Sequence, residues 1–462
     1  MLNLDLKILI IFKIFYLIWM IIISQFPDHN ADSFKGNFIN LTNSQLSLNN
    51  VFYQTFNGAA KWDSLYFIFI AKFGYIYENM LAFYPGFPLI MRLFSKYLLS
   101  SIVPFINESV SFMLSGIILN LIGYFISGFC LFQITSTIYR NKNRATLVII
   151  LFSINPANVF FTVNYSESLY FALTNLGHLF LMKKWPFYSL FFYSLSSMVR
   201  LNGILNFGYF GFFTLTLLLR TYKTNIFKQG FMFTMKILIG VLIFLLPIAV
   251  YHVQVYRNFC EKNINSIITN QNFIDFGLEN NYFLRQNFYP DWCRNFGGIF
   301  YSSVQSRYWN VGFLNYFQWK QIPNFLLALP IVFISLHGCW KYFRDNSKTC
   351  LSLGLRFEST KSLVLLPFVL HLFFLTGFGF FTVHVQILTR MICSSSPLIY
   401  WFVSDEIWPL MDDRIRSNKT FILDYILKPF QITQIFPRII VIYFLAYSLI
   451  GYVLHCNFLP WT

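Results

Sequence analysis

The chain has 462 residues, of which 56% are hydrophobic and only 11% are charged. Soluble globular domains carry about 25% charged residues, so lipid must cover part of this apolar surface. The formal net charge is +16, but the cations occur in short groups between apolar runs, as the positive-inside rule describes. The composition therefore excludes a soluble protein and argues against a nucleic-acid-binding protein.

Apolar runs of about 20 residues are long enough to cross a bilayer as helices. The sequence predicts an all-α polytopic membrane protein with about eleven spans, within a range of eight to twelve. The run 86–105 is also apolar, but it fits an amphipathic helix in the membrane interface as well as it fits a membrane-spanning helix. The predicted spans are 8–25, 112–138, 146–163, 167–182, 187–203, 204–219, 233–252, 324–341, 363–381, 385–403 and 436–455.

Lys and Arg concentrate in four segments that the positive-inside rule assigns to the cytosol. The two largest polar stretches, 26–111 and 253–323, then share the opposite, lumenal side. We therefore predict one membrane-embedded domain over residues 1–462 whose activity lies on the lumenal face. Cys260 and Cys293 both lie in the second stretch, where a disulfide between them is one option. The basic segments are 139–145, 183–186, 220–229 and 342–361.

The first polar stretch contains two acids in aromatic surroundings, Asp63 directly after Trp62, and Glu78. A carboxylate at the membrane surface can accept a proton from a sugar hydroxyl or orient it. The alternative is structural, with Asp63 as a helix cap and Glu78 as a solvated loop charge. We take Asp63 as the catalytic candidate, and Trp62 and Glu78 as substrate-binding candidates.

The second group of candidates follows an Asn155-Pro156 pair, which predicts a break in helical hydrogen bonding. Glu167 begins the next apolar run, where an acid indicates either function or a helix cap. Arg200, followed by Asn202, lies between two apolar runs. It is a candidate for binding a phosphate, with an interfacial snorkelling arginine as the alternative.

The last candidates lie in the second polar stretch and in a later turn. Arg307 and Trp309 offer a guanidinium and an aromatic face, and His384, Gln386 and Arg390 bring polar groups to the start of a predicted span. Such groups contact sugars and phosphates, although each taken singly is more often structural. No nucleotide-binding motif and no metal-ligand spacing appear, so a lipid-linked donor is favoured and dependence on a divalent metal stays open.

Several long stretches resemble the PIG-V family of GPI mannosyltransferases, which belongs to glycosyltransferase family 76 and the glycosyltransferase-C superfamily. They occur in the family's order and cover most of the chain. The family's Trp-Asp pair corresponds to Trp62 and Asp63, its PGFP element to 85–88, and its NPA and SES elements to 155–157 and 166–168. The stretches are KWDSLYFIFIAKFGYIYENMLAFYPGFPL (61–89), NPANVFFTVNYSESLYFAL (155–173), VRLNGIL (199–205), QSRYWNVGFLNYFQWKQIPNFLLALP (305–330), HVQILTRMICSSSPLIYWF (384–402) and HCNFLPWT (455–462).

This resemblance implies a glycosyltransferase-C helical bundle in the endoplasmic-reticulum membrane, with interfacial helices in its lumenal loops. It implies transfer of the second mannose, in an α-1,6 linkage, from dolichyl phosphate mannose to the glycosylphosphatidylinositol precursor. No cofactor is required, and a small membrane accessory subunit is compatible with the family. Two alternatives stay open: a dolichyl-phosphate-sugar transferase with another acceptor, and a lipid or sugar transporter.

Overall fold

The computed structural model describes residues 4–30, 34, 48–221, 226–261, 268, 270–285, 289–294, 300–411 and 428–460. Parts of the predicted stretches 26–111, 253–323, 220–229 and 455–462 therefore lie outside the described residues. Within these ranges the α-helices are α1 Leu4–Ile23, α2 Leu48–Phe56, α3 Asp63–Phe73, α4 Gly86–Phe94, α5 Ser100–Ile102, α6 Glu108–Tyr139, α7 Lys142–Ser153, α8 Glu167–Met182, α9 Pro186–Val199, α10 Phe207–Thr221, α11 Ile226–Phe259, α12 Gln271–Glu279, α13 Phe300–Trp309, α14 Ile322–Asp345, α15 Ser347–Leu351, α16 Thr360–Thr382, α17 Leu388–Ser395, α18 Leu398–Ile407 and α19 Ile435–Cys456.

Six helices in the described residues are long and apolar enough to cross a membrane. Each contains most of one predicted span, and the all-α, multi-pass membrane character predicted from the sequence is confirmed. They are Leu4–Ile23, Glu108–Tyr139, Gly230–Phe259, Trp319–Asp345, Thr360–Thr382 and Ile435–Cys456. The other predicted spans correspond to shorter helices, among which α8 coincides with the predicted run 167–182.

Predicted spans 146–163 and 385–403 are not continuous helices, and the predicted span 187–203 is interrupted at Arg200, between α9 and a 3-10 turn over Leu201–Asn206. In the first, α7 ends at Ser153, and a 3-10 turn follows over Asn158–Phe161. In the second, a 3-10 turn over Val385–Ile387 precedes α17 and α18, which meet at Ser396 and Pro397. Proline lacks the N–H that a helix needs and restricts the residue before it. The break predicted at Asn155-Pro156 is therefore confirmed, and the predicted span 385–403 has a further break at Ser396 and Pro397.

The apolar run 86–105 forms a helical segment with two different faces. It comprises α4, a π-helical turn over Ser95–Leu99, and α5. Phe87 and Met91 are buried, while Leu89 and Tyr97 are exposed. This separation of faces is typical of an amphipathic helix.

The turn that leads into α8 is fixed against α6. Asn120 of α6 donates hydrogen bonds from Nδ2 to the carbonyl oxygens of Val163 and Tyr165, the latter at 2.9 Å. A Cβ at Gly116 would lie only 1.9 Å from Oδ1 of Asn164, so this close approach requires glycine. The same Asn164 donates from Nδ2 to the carbonyl of Ala59 at 2.9 Å. These contacts hold the start of α8 beside the segment that precedes α3.

The two large polar stretches pack on one another. Tyr77 and Leu284 form an isolated antiparallel bridge, and the backbone N–H of Arg285 donates to the carbonyl of Ile76 at 2.9 Å. Cys260 and Cys293 form a disulfide, which confirms the pairing that the sequence left open. The first stretch, which contains Asp63, is thereby joined to the second, which contains α13.

Candidate active site

Asp63 is the first residue of α3, and its side chain does not cap that helix. Its Oδ2 accepts a hydrogen bond from Nη1 of Arg390 at 3.0 Å, and its side chain is 30% exposed. Its backbone N–H donates to the hydroxyl of Tyr165 at 3.1 Å. The capping interpretation is therefore wrong, and the carboxylate is fixed by a cation 327 positions away while it keeps access to solvent.

Trp62 adopts an unusual backbone conformation directly before this carboxylate. Its φ of 52° with ψ of −129° lies where only glycine is comfortable. Such a conformation costs roughly 1–3 kcal/mol and occurs most often at functional sites. Its indole Nε1 is buried and makes no hydrogen bond in the structure. The chain thus enters α3 through a strained residue that sets the direction of Asp63.

Glu167 lies between two arginines. Its side chain is fully buried, and its Oε1 accepts a hydrogen bond from Nη1 of Arg200. The same oxygen is 3.7 Å from Nε of Arg390. Asp63, Arg390, Glu167 and Arg200 therefore form a row of alternating charges, which we call the charge row. Two structural alternatives from the sequence are therefore wrong, because the Glu167 side chain does not cap α8 and Arg200 is held in an ion pair.

The charge row has a definite chemical capacity. Two acids and two arginines balance in net charge, which lowers the cost of placing them in a partly dehydrated site. A guanidinium can bind phosphate oxygens through two parallel N–H groups, and Nε of Arg390 has no hydrogen-bond partner in the structure. A carboxylate and phosphate-binding cations are thus present within one set of contacts.

Two side chains that the sequence analysis did not select complete this group. Tyr165 contacts Asp63 through its hydroxyl, and the guanidinium carbon of Arg390 lies 5.4 Å from its ring centroid. Ser395, one helical turn and a residue beyond Arg390, accepts a hydrogen bond from Nδ2 of Asn202 at 2.9 Å. The available signal for Tyr165 was its position in the YSES stretch, two residues before Glu167.

The end of the chain packs against the residues before Asp63. The ring of Phe458 lies 5.7 Å from the ring of Trp62 and 4.8 Å from Nζ of Lys61. Nζ of Lys61 also forms an ion pair with Asp28 at 2.5 Å. The ring of His455 lies 5.3 Å from the ring of Tyr165. The short turn after α19 is therefore one wall of the candidate site.

Glu78 belongs to a separate polar cluster. It is 2% exposed, and its two carboxylate oxygens accept hydrogen bonds from Nε1 of Trp292 and from the hydroxyl of Tyr308, each at 2.8 Å. Burial and the neighbouring carboxylate raise the pKa of Tyr308, so its hydroxyl stays a donor. The interpretation of Glu78 as a solvated charge is wrong. The contacts join the two polar stretches and leave Glu78 little capacity for substrate.

The other sequence candidates lie outside the charge row and do not contact Glu78. The ring of His384 stacks on Tyr316 at 4.5 Å and hydrogen bonds to the backbone of Trp309. Burial lowers the pKa of His384, which keeps its ring neutral near pH 7. Gln386 is half-buried in the turn between His384 and Arg390. Arg307 is exposed and stacks at 3.6 Å on the ring of Phe283.

The described residues include no group of three or more His, Cys, Asp or Glu side chains that could hold a metal ion. The charge row itself offers two carboxylates, but each is already paired with an arginine.

These features define the class: an integral membrane protein with many helices and a charged, partly buried site between distant segments. A family model described as "Mannosyltransferase (PIG-V)" matches residues 5–462. The protein named "GPI alpha-1,6-mannosyltransferase 2" is 31% identical in Cricetulus griseus and in Homo sapiens, over 94% of this chain and 93% of each relative. In Drosophila melanogaster, "GPI mannosyltransferase 2" is 31% identical over 94% of both chains. No solved structure matches.

The chain belongs to the PIG-V family of mannosyltransferases. It is an enzyme that transfers mannose within a membrane, and the resemblance found in the sequence is confirmed. The transporter alternative is not supported by these relatives, all of which carry mannosyltransferase names.

Proposed function

We propose that this enzyme transfers mannose from dolichyl phosphate mannose, in an α-1,6 linkage, to a glycosylphosphatidylinositol precursor that carries one mannose. The observation that carries the proposal is the contact between Asp63 and Arg390 within the charge row. The printed names of the relatives supply the linkage and the class of acceptor. The donor and the lumenal side are inferences from the family resemblance and the loop charges.

The proposed reaction is a single displacement. The 6-hydroxyl oxygen of the acceptor mannose attacks C1 of the donor mannose, and the bond from C1 to the phosphate oxygen breaks with its electron pair. Asp63 orients the hydroxyl and accepts its proton. The dolichyl phosphate leaves as an anion, so a cation beside it lowers the barrier. One inversion converts a β-linked donor into an α-linked product without a covalent enzyme intermediate.

Arg390 and Arg200 are the arginines we propose for the leaving phosphate. The sequence left Arg200, Arg307 and Arg390 equivalent. Two of them lie in the charge row with Asp63, whereas Arg307 stacks on Phe283 in the second polar stretch. A donor phosphate that engages Arg390 would release Asp63 from its ion pair. The freed carboxylate would then be available to accept the proton of the acceptor hydroxyl.

We further propose the glycosyltransferase-C arrangement with eleven membrane crossings. Beyond the six long helices, five crossings would use α7 with its 3-10 turn, α8, α9, α10, and α17 with α18. The 16 residues of α8 extend about 24 Å, most of a bilayer core of about 30 Å. The helices of 86–102 would lie in the lumenal interface, with the enzyme in the endoplasmic reticulum. A small accessory subunit remains a prediction.

The test uses cells that lack the enzyme for the second mannose. The native chain should restore surface GPI-anchored proteins, and Asp63→Asn should lower mannosyl transfer by about 100-fold or more at equal expression. Asp291→Asn is the matched control, because Asp291 is 82% exposed and, among the described residues, forms its ion pair with the exposed Arg294. Full rescue by Asp63→Asn would remove this residue from the mechanism.

The acceptor is identified by the lipid that accumulates. Cells that express only Asp63→Asn should contain a precursor with one mannose. Accumulation of a precursor with two or more mannoses, or of a precursor with no mannose, would assign the enzyme to another acceptor. That outcome would favour the alternative of a different dolichyl-phosphate-sugar transferase.

A further inference from the structure

A cavity of about 400 Å³ lies at the opposite end of the helices from Asp63. Arg144 near the start of α7 and Lys361 near the start of α16 line it. The 12 residues of α7 and the 23 residues of α16 extend about 18 Å and 35 Å towards the segments that carry Tyr165 and Arg390. The cavity is therefore separate from the charge row.

The acids that line the cavity are already paired. Asp405 binds Arg144, Glu406 binds Lys341 at 2.7 Å, and Asp345 binds Arg344 at 2.9 Å. Among the described residues, Lys361 makes no ion pair with a carboxylate. Its Nζ lies 4.1 Å from the ring centroid of Tyr139 instead. One cation at the cavity is thus left without a counter-ion.

A second cation contacts the same ring. The guanidinium carbon of Arg144 lies 3.8 Å from the Tyr139 centroid, so this carbon and Nζ of Lys361 are at most about 8 Å apart. Segments 139–145, 341–361 and 404–411 together carry eight cationic and four acidic side chains, a net charge of +4. An anion between these cations would relieve the repulsion.

The deeper wall of the cavity is apolar. Ile334, Leu365, Phe402 and Ile440 come from four different helices, and each is buried to at least nine-tenths. Trp340, next to Lys341 in the chain, is 67% exposed, as expected for an aromatic side chain at the membrane interface. Charged groups at the helix ends with apolar groups below them match a ligand that has an anionic head and a hydrocarbon tail.

We propose that this cavity binds the phosphate headgroup of an anionic phospholipid, with Lys361 and Arg144 contacting phosphate oxygens and the apolar wall contacting the first acyl carbons. The basic loops around the cavity are those that the charge pattern assigns to the cytosol, where anionic lipids are abundant. The site does not depend on the proposed reaction, because none of its lining residues belongs to the charge row.

The test measures the unfolding temperature of the full-length enzyme in nanodiscs. Discs of phosphatidylcholine alone are compared with discs that contain a graded fraction of phosphatidylserine. The anionic lipid should raise the unfolding temperature of the native chain, and Lys361→Gln should need about fivefold more of it for the same rise. Lys361→Arg should retain the effect because it retains the charge.

Lys348→Gln is the matched control. Lys348 is an exposed lysine in the same basic segment, but it does not line the cavity. The unfolding temperature of Lys348→Gln should respond to the anionic lipid as that of the native chain does. An equal loss in both glutamine variants would indicate a general charge effect and overturn the site, as would no lipid effect on the native chain. If inorganic phosphate in phosphatidylcholine discs reproduces the rise, the ligand is soluble phosphate and the lipid assignment is wrong.

Discussion

Glu167 has the most demanding environment of the residues in the candidate site. Its carboxylate is fully buried, and Oε2 has no hydrogen-bond partner in the structure. Among the described residues, the cations that contact this carboxylate are Arg200 and Arg390. Removal of the cation that pairs with a buried acid lowers the free energy of unfolding by several kcal/mol, whereas removal of both partners often changes it little.

A pair of variants separates this structural role from catalysis. Arg200→Gln should destabilise the enzyme by about 3 kcal/mol or more, because it leaves Glu167 with the more distant Arg390. The double variant Glu167→Gln with Arg200→Gln should recover most of that stability and remain poorly active. Thermal unfolding in detergent and mannosyl transfer are the measurements. A double variant no more stable than Arg200→Gln would contradict the assigned pairing.

The residues of the site were easier to predict than their partners. Asp63, Glu167, Arg200 and Arg390 all stood out as charges at the edges of apolar runs. Their pairing joins positions 33 and 327 residues apart, and no local pattern specifies such contacts. Glu78 also stood out, but its burial under Trp292 and Tyr308 depends on the fold of a distant loop.

At the scale of elements, periodicity located the long helices but not the interruptions within apolar runs. Pro156 gave a clear signal of a break, and the structure has one there. Pro397 carries the same signal inside the predicted span 385–403, and the structure has a second break there. The break before Pro397 allows α17 to end near Asn202, so that Ser395 and Arg390 reach the site.

The disulfide between Cys260 and Cys293 should stabilise the second polar stretch. It closes a loop with a sequence separation of 33, for which chain entropy predicts about 3–4 kcal/mol. Replacement of both cysteines by serine should lower the unfolding temperature and the activity. Cys350→Ser, at a free and half-buried cysteine, is the control and should change neither. Reductant should lower the unfolding temperature and the activity of the native chain to those of the double variant. If reductant changes neither, the disulfide does not stabilise the enzyme.

The turn after α19 should position the catalytic segment. Phe458→Ala removes the ring that contacts Trp62 and Lys61 and should lower kcat by about tenfold with little change in KM, because the small displacement affects orientation. Phe458→Tyr keeps the ring and should retain most of the activity. Steady-state kinetics at equal protein level are the measurement. Equal activity of both variants would show that these contacts do not matter for the reaction.

At the scale of the whole molecule, the proposed orientation places α15 and α12 on opposite sides of the membrane. A cysteine at Ser347 should react with an impermeant maleimide in intact microsomes, and a cysteine at Asn281 only after permeabilisation. Both positions are exposed. Both cysteines are introduced into the Cys350→Ser variant, because Cys350 is half-buried and could react, whereas the other free cysteines are buried. The reverse labelling pattern would place the charge row in the cytosol and contradict the proposed donor side.

The contact of Phe458 with Trp62 also has a consequence for biosynthesis. The ribosome makes Asp63 early, Arg390 much later, and Phe458 later still. The enzyme can therefore reach full activity only after Phe458 has left the ribosome and reached the first part of the chain. A transcript that stops at codon 454 should yield a product that inserts into the membrane and transfers no mannose.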